Sequence, residues 1–350
     1  MEFIPILRWK RGEQNALSSL NHTQKSATTP LISINNLNYS PPDNSNFDGL
    51  FDNRIIQDAE RLSNIWSRNR VLVDLNDISP YATCENNEHP ISLFFRNLSR
   101  DVDARPVLRA TSDQFFAEAV ADLGIPPVFR ITPEDFSDHN IEDDLSWLLE
   151  ICSFEPRECA VIIDLGYVQS VNRSVLTAVG ALSSLPFLNS WGSITLASGS
   201  FPENLSNYPV GPHLINRIEW DIWQAVSSTL RIRLGYGDYA TIHPNPAEEG
   251  LDPRTMNPSA SVRYTYDNSW LLLRGEGTRN RNGRGFAQFQ DHAINLVRMP
   301  QYRGENFSFG DQKIARIARG EESQGNLETW VTIGINHHIA EIVDRLSNLP

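Results

Sequence analysis

The chain has 350 residues, of which 40% are hydrophobic, 9% aromatic and 21% charged, so it can bury a sizeable core, and wholesale disorder is excluded. Its 30 basic and 43 acidic residues leave a formal net charge of -13, the wrong sign for bulk nucleic-acid binding, although a local basic pocket is allowed. Cys84, Cys152 and Cys159 are the only cysteines and show no CxxC or Cys/His spacing, which argues against a zinc site or disulfide framework and for a reducing, cytoplasmic setting.

The opening MEFIPILRWKRGE returns to charge after a few apolar residues, so neither a signal peptide nor an anchor is expected. No apolar stretch approaches the ~18 residues of a membrane span. Residues 3–9 (FIPILRW) read as a strand, with Pro5 as its weak point. A short helix follows over 13–20, then a strand over 30–34 (PLISI). Residues 35–53, rich in Asn, Pro, Ser and Asp, read as an irregular loop. Ile55, Ala59, Leu62 and Trp66 share one helical face.

The alternation then repeats. Strands are predicted over 70–75 (RVLVDL), 105–110 (RPVLRA), 127–131 (PVFRI), 159–165 (CAVIIDL) and 193–198 (SITLAS). Between them lie helices over 91–98, 113–123 (capped by Ser112), 141–152 and 174–185. Parallel strands need crossover connections, and seven such units need one more strand to close a (β/α)8 barrel. Residues 231–242 (RIRLGYGDYATI) are the first choice, with 217–220 as the rival. No GxGxxG or Walker loop opens the first helix, so no dinucleotide site or P-loop is indicated.

The last third differs. Residues 244–258 are loop-like, and 261–275 (SVRYTYDNSWLLLRG) form a β-hairpin turning at Asp267-Asn268. Helices are expected over 286–299, 311–319 and 326–346, with Asp311 as a cap and Trp330 as a packing anchor. The expected organisation is one domain of α/β class: a TIM-barrel-like (β/α)8 unit over 1–243, and a C-terminal hairpin and helical extension over 244–350 packed on it.

Several segments are shared with a known family. FIPILRWKRGEQNAL with TPLISI, ASGSFP (197–202), GYGDYA (235–240), RGENFSFGDQKI (303–314) and GNLETWVTIGINHHI (325–339) together resemble the beta protein family of bacteriophages and bacteria. The resemblance spans nearly the whole chain. It implies a role in phage–host conflict, with a phage or bacterial defence protein as a partner, and supplies no catalytic residues. Ser33 stands where the family leads one to expect an acidic residue.

In a β/α barrel the site forms at the C-terminal strand ends. Arg8 and Lys10 end the first strand, two apart and so on one face, and Glu13 follows Gly12. Asp74, Arg109, Arg130 and Asp164 end later strands; Ser200 follows the seventh, and Asp238 and Tyr239 lie on the eighth. Lys10, Glu13, Asp74, Asp164 and Asp238 are the candidate catalytic residues. Arg8, Arg109, Arg130, Ser200, Tyr239, Arg274 and His337 are the candidate ligand contacts. Arginines grip phosphate or carboxylate with paired hydrogen bonds. Converging carboxylates suit Mg2+ or Mn2+, or general acid–base work. Together they suit metal-assisted hydrolysis of a phosphate ester, while mutual pairing of buried charges is the structural alternative.

Ser200 lacks the GxSxG context of a nucleophile and reads as turn or anion contact. His337 and His338 are adjacent, so on a helix they point about 100° apart and cannot easily share a metal. Arg263, Arg274, Arg279, Arg281 and Arg284 make a locally basic patch that suits a solvated loop or a nucleic-acid contact. Three hypotheses follow, of which a nucleic-acid-binding module has the net charge of -13 against it. A hydrolase predicts Lys10, Asp74, Arg130 and Asp164 in one pocket. A non-catalytic interaction protein predicts a mouth filled by its own ion pairs.

Overall fold

The computed structural model describes residues 2–34, 49–138, 140–245 and 255–349. The irregular loop expected over 35–53 and the one over 244–258 lie partly outside these residues. Eight parallel strands form a closed barrel. They are β1 (Phe3–Leu7), β2 (Leu31–Ser33), β3 (Arg70–Asp74), β4 (Asp103–Arg109), β5 (Val128–Ile131), β6 (Ala160–Tyr167), β7 (Ser193–Gly199) and, after an inserted strand β8 (Gly211–Asn216), β9 (Gly235–Asp238). β9 closes the ring by pairing with both β7 and β1. The eighth barrel strand is therefore the 231–242 segment, and the rival residues 217–220 enter a helix instead.

The helices between the strands are α1 (Arg11–Ser18), α2 (His22–Ser26), α3 (Leu50–Ile65), α4 (Pro90–Arg96), α5 (Gln114–Leu123), α6 (Asp135–Asp138), α7 (Ile141–Cys152), α8 (Val171–Ser184) and α9 (Ile218–Leu230). The longer ones carry their apolar faces inward, and short α2 and α6 do not. Phe51, Ile55, Ala59 and Leu62 are the buried stripe of α3, which starts earlier than the apolar period suggested. Asp113, not Ser112, caps α5 by accepting from the Phe116 amide. Ser112 turns inward and accepts from the Arg109 amide.

Period-2 alternation divides each strand between two cores. Ile4, Ile6, Leu31, Leu72, Val107, Val128, Ile162, Ala197 and Tyr239 fill the barrel interior. Phe3, Val71, Val73, Leu108, Phe129, Ile163 and Tyr236 face the helices. Close strand approach requires glycine at 237, where a Cβ would meet Ala197 Cβ at 2.8 Å.

The C-terminal part adds β10 (Val262–Tyr266), β11 (Ser269–Arg274), α10 (Gln288–Leu296), α11 (Phe309–Arg319) and α12 (Leu327–Ser347). The hairpin β10–β11 turns at Asp267-Asn268 and pairs antiparallel with β8. One face of this sheet packs Val262, Tyr264, Leu271 and Leu273 against α10, α11 and α12. The other packs Trp270 and Leu272 against Phe201 and Ile215. Ser308, not Asp311, caps α11, and Trp330 is a packing anchor stacked 5.2 Å from Phe289.

α12 belongs to the barrel core. Ile335, Ile339 and Ile342 are fully buried in the same cluster as Phe3 and Tyr236. Its Thr332 and Asn336 side chains donate to the α1 carbonyls of Gly12 (3.0 Å) and Ala16 (3.1 Å). The helix occupies the outer position after the last barrel strand. No described helix is long and apolar enough to cross a membrane.

Candidate functional site

Above the apolar barrel interior, the next inward-facing position on β2, β3, β4, β5 and β6 is polar. Ser33, Asp74, Arg109, Arg130 and Asp164 follow Leu31, Leu72, Val107, Val128 and Ile162 by two residues. Arg130 is the hub. Its Nη1 donates to Asp74 at 2.7 Å, its Nε and Nη2 donate to Asp164 at 2.9 and 2.7 Å, and Nη2 also reaches the Tyr239 hydroxyl at 3.0 Å. Tyr239 donates to Asp164 at 2.6 Å. Arg109 lies 3.6 Å from Asp74 and donates to Asp77 at 2.7 Å. Ser33 also donates to Asp77 at 3.0 Å, so a hydroxyl, not an acid, completes the second strand's place in the ring. Asn76 ties Asp74 to the Val107 carbonyl.

The ring is electrostatically closed. Burial raises the Asp74 carboxyl, but Arg109, Arg130 and Asn76 together hold it below its ordinary value. Burial alone would lower the Arg130 guanidinium; Asp164, Tyr239 and Asp74 reverse this and push it well up. Burial and the Asp164 charge push the Tyr239 hydroxyl up. Asp74 is fully buried and Asp164 nearly so, whereas the Arg109 side chain keeps 29% of its surface exposed.

The other sequence candidates separate. Asp238 does not face the mouth: it neighbours Tyr239 on the strand, and alternation turns it outward. There it contacts His338 Nε2 at 2.9 Å and accepts from Tyr236 at 2.9 Å and Arg217 at 3.3 Å. Arg217 also donates to Glu219 at 3.0 Å, and Ser200 donates to the same carboxylate, so its hydroxyl is engaged in a buried outer network. Arg274 bonds the Ser261 hydroxyl and the Gly275 carbonyl on the hairpin. His337 is fully buried between the Asp311 carboxylate and the Thr265 carbonyl, both at 2.8 Å, and stacks on Tyr264.

Arg8 and Lys10 part company because β1 ends at Leu7 and Trp9 takes a left-handed φ of 52°, which breaks the alternation. Arg8 stays at the mouth, where its Nη2 donates to the carbonyls of His243, Pro244 and Asn245 and ties the segment after β9 across the rim. Lys10 becomes the N-cap of α1. Glu13 caps it reciprocally, accepting from the Lys10 amide at 2.9 Å, and burial pushes the Glu13 carboxyl up.

Arg8 and Lys10 line a cleft of about 830 Å³ between the start of α1 and the exposed face of α3. Arg11, Arg54 and Arg61 also line it, against two carboxylates, Asp58 and Glu60. Arg61 donates to Gln14 at 2.9 Å, and Trp9 Nε1 to Asp58 at 3.1 Å. Among the described residues, Lys10 and Arg54 have neither a side-chain hydrogen bond nor an ion pair. The sequence reading missed Arg54 and Arg61. Their spacing of seven, along the flank of the Ile55, Ala59 and Leu62 stripe, was the available signal.

The residues at the mouth do not fit a divalent cation. The space between Asp74 and Asp164 is spanned by the Arg130 guanidinium, and no group of three or more His, Cys, Asp or Glu among the described residues is placed to hold a metal.

A family model described as Beta protein matches residues 3–344. The chain belongs to the Beta protein family. No curated protein matches it. Among solved structures, triosephosphate isomerase from Bartonella henselae is similar at 10% identity and a TM-score of 0.35, over 69% of this chain and 94% of that one. The barrel assignment rests on the closed strand order of this Beta protein itself.

Proposed function

We infer that this Beta protein binds an anionic, phosphate-bearing ligand at the C-terminal rim of its barrel, in the cleft beside β1. One observation carries the reading: five cations, Arg8, Lys10, Arg11, Arg54 and Arg61, line one open cleft; Arg11 pairs with Glu328 at 3.5 Å, and two of the five, Lys10 and Arg54, have neither a side-chain hydrogen bond nor an ion pair among the described residues. Cations held without carboxylates suit an incoming anion. The Asp74–Arg130–Asp164 ring beneath the mouth serves as a pre-paired floor. Its carboxylates are already engaged, which favours a binding site over a hydrolytic centre. That internal pairing is also what a non-catalytic component would show. Membership of the Beta protein family supports a setting in phage–host conflict.

A thermal-shift titration with pyrophosphate tests the site. A hundredfold excess over the dissociation constant stabilises the folded state by about 3 kcal/mol. The shift is expected in the natural chain and in Asp164→Asn, and to vanish in Lys10→Ala and Arg54→Ala. A shift that survives both cleft substitutions, or no shift with any phosphate compound, refutes the reading. Plating of phage on cells producing the natural chain or Lys10→Ala tests the setting; equal plaque counts without the protein, with it and with the variant would refute it.

A further inference from the structure

The face of α3 that lines the cleft has an ordered charge pattern. Arg54, Asp58 and Arg61 stand at i, i+4 and i+7, one above another on that face. At a 1.5 Å rise per residue the two arginines are about 10 Å apart along the axis. Their long side chains let the two guanidinium groups hold two phosphates of one strand, one on each side of Asp58. Lys10, with Arg8 and Arg11, faces them from the opposite wall. The carboxylate between the arginines interrupts the positive run, and a contiguous polyphosphate would meet it in the middle. Asp58 is held in place by Trp9 Nε1 on one oxygen, and its second oxygen has no hydrogen bond among the described residues. A cation, an acceptor and a cation in a row match a phosphate, a sugar hydroxyl and a phosphate.

We propose that the cleft takes a short single-stranded RNA segment, with successive phosphates at Arg54 and Arg61 and a ribose hydroxyl donated to Asp58. The proposal rests on the cleft being an anion site and names the ligand class. The 2′-hydroxyl is the group that separates RNA from DNA at such a contact. The net charge of -13 disfavours binding over the surface as a whole, so the interaction is a local one.

The test is fluorescence anisotropy with labelled hexauridylate, with unlabelled uridine monophosphate, pyrophosphate and the matched deoxy hexamer as competitors, at several salt concentrations. Hexauridylate is expected to bind at least tenfold tighter than the mononucleotide. Two phosphate contacts give a slope of log K against log salt near -1.4, at roughly 0.7 per phosphate on a single strand. Arg54→Ala and Arg61→Ala each weaken binding and flatten the slope by about one contact. Asp58→Ala removes the preference for the ribose over the deoxyribose hexamer. All three positions lie on an exposed or half-exposed helix face, and unchanged melting temperatures confirm that the variants fold. If pyrophosphate binds but hexauridylate is no tighter than the mononucleotide, the RNA proposal falls and the anion site stands. If the deoxy hexamer binds as tightly as hexauridylate, the role of Asp58 falls. If no phosphate compound binds, the site itself falls.

Discussion

Replacing Arg130 with methionine tests whether the mouth ring is a set of internal pairs. The guanidinium makes four hydrogen bonds, one to Asp74, two to Asp164 and one to Tyr239. Methionine fills similar space and supplies none. Asp74 is then left with the Asn76 amides and with Arg109, 3.6 Å away, as its one remaining cation, and Asp164 with the Tyr239 hydroxyl and the Gly166 amide. Breaking a buried pair by removing one partner costs about 3–5 kcal/mol, because an uncompensated charge stays buried. The pH dependence has a definite sign. The Asp74 carboxyl is held low in the folded natural chain, so its contribution is complete above the unfolded carboxylate value of about 3.9 and is lost as pH falls through the lower folded value. Without Arg130 the buried Asp74 carboxyl loses one of the two cations that hold it low, and it rises. The deficit of the variant is therefore largest at pH 7 and shrinks towards pH 4. Urea unfolding of both chains at pH 7, 5.5 and 4.5 measures it. Adding Asp164→Asn to the methionine variant should restore part of the loss, since it removes one orphaned charge. A deficit below about 1 kcal/mol at pH 7, or one that does not change with pH, would refute the reasoning.

Three further outcomes follow from the packing. Asp311→Asn should cost about 3 kcal/mol or more, because it uncouples the buried His337 ring; burial raises the Asp311 carboxyl, but His337, Ser308 and Tyr264 hold it low, so in the natural chain its contribution is lost as pH falls through that low folded value, and urea unfolding at pH 7 and pH 4 checks both. Gly237→Ala should lose about 1–3 kcal/mol by overpacking, since the new methyl would lie 2.8 Å from Ala197 Cβ and 3.2 Å from the Ile4 carbonyl; calorimetry reads the drop in melting temperature. Ile339→Ala should cost about 2–5 kcal/mol, with one cooperative transition retained, because this fully buried side chain shares its core with β1 and β9; a separate early transition would show that α12 is not part of the barrel core.

The barrel was legible because its strands are short apolar runs spaced by amphipathic helices, and because parallel pairing demands that spacing. β8 was not legible: of Gly211–Asn216 only Ile215 is buried, so the strand has no apolar pattern of its own and is held by pairing with β11. Within the mouth, Asp74, Arg109, Arg130 and Asp164 were readable from strand ends alone. Asp238 and Tyr239 could not both face inward, since neighbours on a strand point to opposite sides; the small Gly237 facing Ala197 marks which side is the interior. Lys10 was placed by continuing the alternation past Leu7, and the left-handed turn at Trp9 is a tertiary outcome with no sequence mark, since tryptophan seldom adopts it. Arg54 and Arg61 were not legible because the apolar period of α3 marks only its buried stripe, while the cleft uses the flank beside it.

A crystal structure of the protein soaked in pyrophosphate tests the central claim most directly. The account predicts density for the anion in the cleft between α1 and α3, within hydrogen-bond distance of Lys10 and Arg54, with the Asp74–Arg130–Asp164 ring unchanged. Density at the mouth beside Arg109 instead, or an empty cleft in crystals that contain the anion elsewhere, would contradict it.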